Sequence, residues 1–187
     1  MKTEPSPTPG RVAVDMDRTD ETRAAGSGAA GPHPSFRLKK ILVPIDFSEC
    51  ARKALRYALP FAREFGAQVV LLHVIQPAYD YGSEFGPTAY PELESEWRER
   101  SEAKLKALAG TELGEGSASQ TFVRVGQPAE EILAAAAALD VDLIIISTHG
   151  RTGLKHVLLG SQTEMVVRRA PCPVLTVREH EHEFITE

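Results

Sequence analysis

The sequence predicts an α/β fold: an open, doubly wound parallel sheet of five strands with about four helices. Two observations carry this. Short apolar runs of strand length (ILVPID, AQVVLLHVI, TFVRVG, VDLIIIS, PCPVLTVRE) alternate with helix-like stretches between Ile41 and Glu179. Two of those runs, AQVVLLHVI and VDLIIIS, are continuously apolar, as expected of parallel strands covered by helices on both faces. All crossovers are expected to be right-handed. ILVPID and DLIIIS are expected to flank the point where the strand order, 3-2-1-4-5, reverses. Ligands of such sheets bind beyond the carboxyl ends of the strands at that point.

The elements follow in order. Lys39 and Lys40 precede the strand ILVPID, which ends at Pro44, Ile45 and Asp46. SECARKALRYALPFAREFG then places Ala51, Ala54, Leu55, Ala58, Leu59, Ala62 and Phe65 at three-and-four spacing. That is an amphipathic helix with Asp46 or Ser48 as N-cap and Gly66 as its stop. Asp46 and Glu49 also have capping-box spacing. Pro60 removes a backbone donor and predicts a kink. After AQVVLLHVI, a loop from Gln76 to Tyr90 leads to the charged helix PELESEWRERSEAKLKALAG. TFVRVG is a strand, and PAEEILAAAAALD is a helix with Pro128 in its first turn, a favoured place. VDLIIIS, the helix SQTEMVVRRA and the strand PCPVLTVRE close the series, the prolines of the last suiting a sheet edge.

Before Phe36 the composition is different. Residues 1–35 are rich in Pro, Gly, Ala, Asp and Thr without a sustained apolar period, and are expected to be a disordered extension. The domain then spans 36–179, and 180–187 form a flexible tail. A formal net charge of −5 argues against nucleic acid or an acidic membrane as the main partner. No apolar run approaches the roughly 18–20 residues that span a bilayer, and the N-terminus lacks the apolar region of a secretory signal. Cys50 and Cys172 lie far apart without metal-ligand spacing, which fits free thiols in a reducing cytosol. The expected location is cytoplasmic.

The chemistry concentrates in STHGRTGLKHVLLGS, Ser147 to Ser161, between a buried strand and a helix start. Glycines let a backbone approach an anion closely, and the first-turn N–H groups of a helix point toward it. Ser161-Gln162-Thr163-Glu164 has the spacing of a capping box, so Ser161 is expected to open the last helix and Glu164 to reach back to it. Arg151 and Lys155 are the cations of the loop. Taken alone, Gly150 and Gly153 would be turn glycines and Ser161 a simple cap. The flanking strand and the capped helix add a phosphate cradle to that reading. The fold places Pro44, Ile45 and Asp46 opposite Ser147, Thr148, His149 and Gly150 across one crevice.

These pieces resemble the universal stress protein family. KKILVPIDFSECARKAL, VVLLHVIQP, VRVGQPAEEIL and DLIIISTHGRTGLKHVLLGSQTEMVVRRAPCPVLTVR carry the likeness, from about Leu38 to Arg178. Nucleotide-binding members of that family have Gly-x-x-Gly, nine residues, then Gly-Ser or Gly-Thr. Here Gly150 is the second glycine, Arg151 to Leu159 are the nine, and Gly160-Ser161 complete the pattern. The first position is Ser147. A Cβ there is expected to crowd a ribose or limit the backbone, weakening or altering binding. The resemblance implies a Rossmann-like fold of the adenine nucleotide alpha hydrolase type and an ATP site, with Mg²⁺ accompanying the triphosphate. It implies contacts from Pro44, Ile45 and Asp46 to adenine and ribose, and a backbone contact from Val74. It implies nucleotide contacts from Ser147, Thr148, His149, Gly150, Arg151, Gly153, Gly160, Ser161, Gln162 and Thr163, with Gly160 and Ser161 facing a phosphate. It also implies a homodimer through the last strand, Val174 to Val177, whose open edge would otherwise stay uncovered.

Other patterns carry less. GxxxxGK[ST] does not occur. The tail segment EHEHEF lacks HExxH spacing, and no G-x-S-x-G elbow accompanies His149 or His156. His73 is expected to be a core or crevice histidine. No catalytic pair is assigned, and whether a metal is bound by the protein itself is left open. The function expected is an ATP-binding stress-response module whose nucleotide occupancy sets its conformation or its affinity for partners. The alternatives are a slow ATPase or self-phosphorylating enzyme modified at Ser161 or Thr148, and a nucleotide-free dimeric interaction protein.

Overall fold

The computed structural model describes residues 37–76, 91–114, 119–150 and 159–180. The elements are β1 (Lys40–Pro44), α1 (Glu49–Phe65), β2 (Gln68–Ile75), α2 (Pro91–Leu113), β3 (Ser119–Val125), α3 (Pro128–Ala138), β4 (Leu143–Ser147), α4 (Ser161–Arg169) and β5 (Val174–Val177). The strands form one sheet in the order β3-β2-β1-β4-β5, every pairing parallel. The expected doubly wound α/β fold is therefore present. The extension 1–35, the loop residues 77–90 and the tail 181–187 lie outside the described residues.

Two cores explain why the central strands are apolar without alternation. On one face of the sheet Ile41, Val43, Leu71 and Ile145 pack with Ala54, Leu55 and Ala58 of α1 and Leu105, Leu108 and Leu113 of α2. On the other, Leu42, Val70, Leu72, Ile144 and Ile146 pack with Ile132 and Ala136 of α3 and Val166 of α4. Each large aliphatic side chain so buried contributes about 1.5–3 kcal/mol, so a polar residue on either face would be costly. The reversal of strand order at β1 follows from this division. α1 and α2 cover one face while the chain moves through β2 to β3, and α3 and α4 cover the other as it returns through β4 to β5.

Local chemistry sets the ends of the elements. Ser48, not Asp46, is the N-cap of α1, its Oγ accepting from Ala51 N at 3.2 Å. Asp46 acts one step earlier: its Oδ1 accepts from Ser48 N at 3.0 Å and from Ser48 Oγ at 2.6 Å. The Asp46–Glu49 spacing is thus no capping box. α1 continues through Pro60, which is exposed. Gly66 ends it in the left-handed region, φ 63°, where glycine has no Cβ penalty. α2 runs past Gly110 to Leu113, because Leu105, Leu108, Ala109 and Leu113 continue one buried stripe. Asp142 Oδ2 accepts from Lys39 N at 2.7 Å and Lys40 N at 2.9 Å, clamping the start of β1 to the start of β4.

The thiolate form of both cysteines is disfavoured by burial. Burial pushes Cys50 and Cys172 above the usual thiol range, and Cys50 Sγ donates to Val177 O at 3.6 Å. Both stay protonated near neutral pH. Among the described residues, no helix is long and apolar enough to cross a membrane.

Candidate functional site

A crevice of about 770 Å³ opens beyond the carboxyl ends of β1, β2 and β4. It is lined by Pro44, Ile45 and Asp46 from the end of β1 and by Val74 from β2. Ser147, Thr148 and Gly150 line it from the end of β4, and Gly160, Ser161, Gln162 and Thr163 from the start of α4. The structure thus brings together the two sequence segments expected to face each other. His149 is not among the lining residues; its Nδ1 lies 2.9 Å from Thr148 Oγ1. Arg151 and Gly153, with Lys155 and His156, lie outside the described residues. Val74 is half-buried, packing against the core on one side and lining the crevice on the other.

The start of α4 departs from the expected capping box. Gly160 is the N-cap, without a side chain to bond the first turn, and Ser161 is the first helical residue. Glu164 does not reach back; its Oε1 accepts from Arg168 Nε at 3.0 Å. The register is shifted by one residue because the backbone, not Ser161, anchors the turn. Gly160 N donates to Thr148 O at 2.9 Å, and Thr163 Oγ1 donates to Ser147 O at 2.9 Å. A Cβ on Gly160 would meet Thr148 O at 3.1 Å, so glycine lets α4 press against the end of β4. Gln162 Oε1 accepts from Ala129 N at 3.0 Å, so this side chain caps α3 from α4. The first-turn N–H groups of α4 have no acceptors within their own helix, and the positive end of its dipole lies at the crevice.

Gly150 matters for closeness, not for backbone angle. A Cβ built there would lie 2.7 Å from Asp46 Oδ2, nearer than real Cβ atoms come to another atom. The β1 carboxylate and the glycine loop are therefore in direct contact across the switch point. Ser147 is the last residue of β4 and 8% exposed. Its φ is not positive, so the backbone at this position does not require glycine. Its register partner Val177 belongs to the core with α1, which puts the Ser147 side chain on that face of the sheet.

Sequence reasoning missed much of the remaining wall. Phe47, between Asp46 and Ser48, has φ 66°, an unusual left-handed conformation for an aromatic residue. Its ring lies 4.6 Å from that of His73, whose Nδ1 donates to Ile45 O at 2.7 Å. Trp97, Arg100, Ser101 and Lys104 of α2 also line the crevice. Their spacing marks one helix face, but a charged face ordinarily signals solvent, and only the packing of α2 turns it to the site. Among the described residues, no group of three or more His, Cys, Asp or Glu could hold a metal.

A family model described as the Universal stress protein family matches residues 37–178. The universal stress protein in the QAH/OAS sulfhydrylase 3′ region of Thermus aquaticus is 37% identical over 143 residues, covering 75% of this chain and 98% of that protein. The solved structure of protein MJ0577 of Methanocaldococcus jannaschii matches with TM-score 0.66 at 35% identity, over 79% of this chain and 100% of that one. The universal stress protein from Archaeoglobus fulgidus in complex with dAMP matches with TM-score 0.54 at 21% identity, over 76% of this chain and 99% of that one. This last likeness is one of fold.

Proposed function

The chain belongs to the universal stress protein family, and on that premise we propose that it binds an adenine nucleotide, ATP foremost, and acts as a nucleotide-dependent regulatory module of the cytoplasm. One observation carries the reading: Asp46, Gly150 and the start of α4 converge on one crevice, with Gly150 closed against the Asp46 carboxylate. In this reading the phosphates lie at the N-terminus of α4, where the glycine cap leaves N–H groups to donate. Adenine and ribose lie against Pro44, Ile45, Asp46 and the Val74 backbone. Ser147, Thr148, His149, Arg151, Gly153, Gly160, Ser161, Gln162 and Thr163 complete the loop side, with Gln162 and Thr163 holding α4 in place. Mg²⁺ would enter on the triphosphate rather than on a cluster of protein ligands.

Titration of ATP by calorimetry, paired with a thermal melt, tests this. ATP at about 100 times its dissociation constant should add about 2.7 kcal/mol. For a chain of this size that is a melting shift of roughly 5–10 °C. No heat and no shift at millimolar ATP would sink the reading in favour of a nucleotide-free interaction protein. Phosphate release in the same samples separates binding from slow hydrolysis.

We further propose a homodimer formed through β5. β5 ends the sheet beside β4 alone, and Val174, Leu175 and Thr176 are only half-buried. Such an edge is ordinarily covered. Val174→Asp is expected to convert the protein to monomer in sedimentation or light scattering. A wild-type monomer, or a variant that stays dimeric, would contradict it.

A further inference from the structure

We propose that the α2 wall of the crevice is a second anion subsite, so that the preferred ligand is a nucleoside carrying phosphate at both its 5′ and 3′ ends. This inference rests on nucleotide binding at the crevice and deepens it. The chain is acidic overall, with a net charge of −5, yet the Lys, Arg, Asp and Glu lining the crevice among the described residues are Arg100, Lys104 and Asp46. α2 carries charges of both signs, including Glu94, Glu96, Glu99 and Glu102, and none of these acids lines the crevice. Its crevice face is positive.

The two cations are one helical turn apart, about 5–6 Å between Cβ atoms, a spacing that lets both reach one phosphate. Neither forms an ion pair among the described residues, whereas Arg98 beside them is held by Glu94 at 3.6 Å. Lys104 is also directed inward: its Nζ lies 5.7 Å from the centre of the Phe47 ring. That ring is itself held against His73 by the left-handed turn after Asp46.

The position of this wall defines the ligand. α2 packs on the sheet face that α1 covers, and α4 packs on the opposite face. The positive start of α4 and the Arg100–Lys104 pair therefore approach the carboxyl edge of the sheet from opposite sides. A single 5′ phosphate chain is satisfied at α4. A ligand that satisfies both walls carries its anions at two ends of the nucleoside. A phosphate held by two such cations should add about tenfold in affinity, and less at high salt because both side chains are exposed.

The test is the ratio of dissociation constants for AMP and adenosine 3′,5′-bisphosphate, measured by calorimetry at one ionic strength. The wild-type ratio is expected to be about ten. The Arg100→Ser/Lys104→Ser double variant is expected to bring it near one, and Arg100→Lys to keep most of it. An Arg63→Ser/Lys106→Ser variant removes equal charge from exposed positions off the crevice and should leave the ratio intact. A wild-type ratio near one overturns the subsite while leaving nucleotide binding standing, provided AMP binds. So does a ratio that survives in the Arg100/Lys104 variant, or one that falls equally in the control. If wild-type protein binds neither nucleotide, the nucleotide reading fails and the subsite with it.

Discussion

Replacing Gly150 with valine is expected to weaken nucleotide binding by at least about tenfold while leaving the fold intact. The first atom of any side chain at this position would sit 2.7 Å from Asp46 Oδ2. The carboxylate has to turn or move to make room, and its other oxygen accepts from Ser48 N and Ser48 Oγ, which opposes that movement. Either Asp46 breaks bonds at the head of α1, or the loop withdraws from the end of β1. Hydrogen bonds to a charged group contribute about 1.5–3 kcal/mol each, so one lost bond weakens a site by roughly 10–150-fold. Calorimetric titration of Gly150→Val with ATP, beside a circular-dichroism melt, checks both halves of the expectation. Wild-type affinity in the variant would show that the closeness of glycine and carboxylate has no part in binding. Gly150→Ala is expected to show most of the same loss, since the obstruction begins at Cβ.

Removing the carboxylate itself is expected to act on stability and binding together, in a way two substitutions can separate. Asp46→Ala leaves Ser48 N–H and Ser48 Oγ–H without their acceptor at the first turn of α1. The Ser48 hydroxyl then loses the bond that orients it toward Ala51 N, and the helix loses part of its cap. A destabilisation of about 2–3 kcal/mol is expected, or roughly 4–12 °C in melting temperature. Asp46→Asn keeps a carbonyl acceptor in the same place and is expected to recover most of that stability. Both variants should lose nucleotide affinity, because in the proposed site the charge accepts from the ligand's hydroxyl or amino groups. If Asp46→Asn is as unstable as Asp46→Ala, charge rather than acceptor geometry holds the turn. If Asp46→Asn binds ATP like wild type, the carboxylate does not touch the ligand.

These two residues also show how far the site could be read in advance. Asp46 and Gly150 were both legible, one as the residue closing an apolar run, the other through the resemblance of its spacing to Gly160 and Ser161 to the family's pattern. That they face each other across one crevice followed from the expected strand order; that Gly150 closes against the Asp46 carboxylate did not, because tertiary packing sets that distance. The capping box at Ser161 was legible and wrong. Its spacing is right, yet Gly160 N–H and Thr163 Oγ1 bond the end of β4, and those tertiary bonds set the helix start one residue earlier. Gln162 lines the crevice as expected, and its Oε1 also accepts from Ala129 N of α3, a bond that local sequence does not announce. Arg100 and Lys104 lie in what the sequence shows only as a charged helix.

What the sequence determined by itself is the architecture. Continuous apolar strands, helices with a single buried stripe, and glycine or proline at the boundaries leave a doubly wound parallel sheet as the arrangement that buries every apolar face. Periodicity is a short-range property, so it survives in the chain without any knowledge of the fold. The tertiary structure alone decided which polar groups share the crevice. Crossover direction puts α2 on one face and α4 on the other, which brings Arg100 and Lys104 toward the same opening as the start of α4. Contacts of that kind join residues distant along the chain, and they exist only once hydrophobic burial has assembled the sheet.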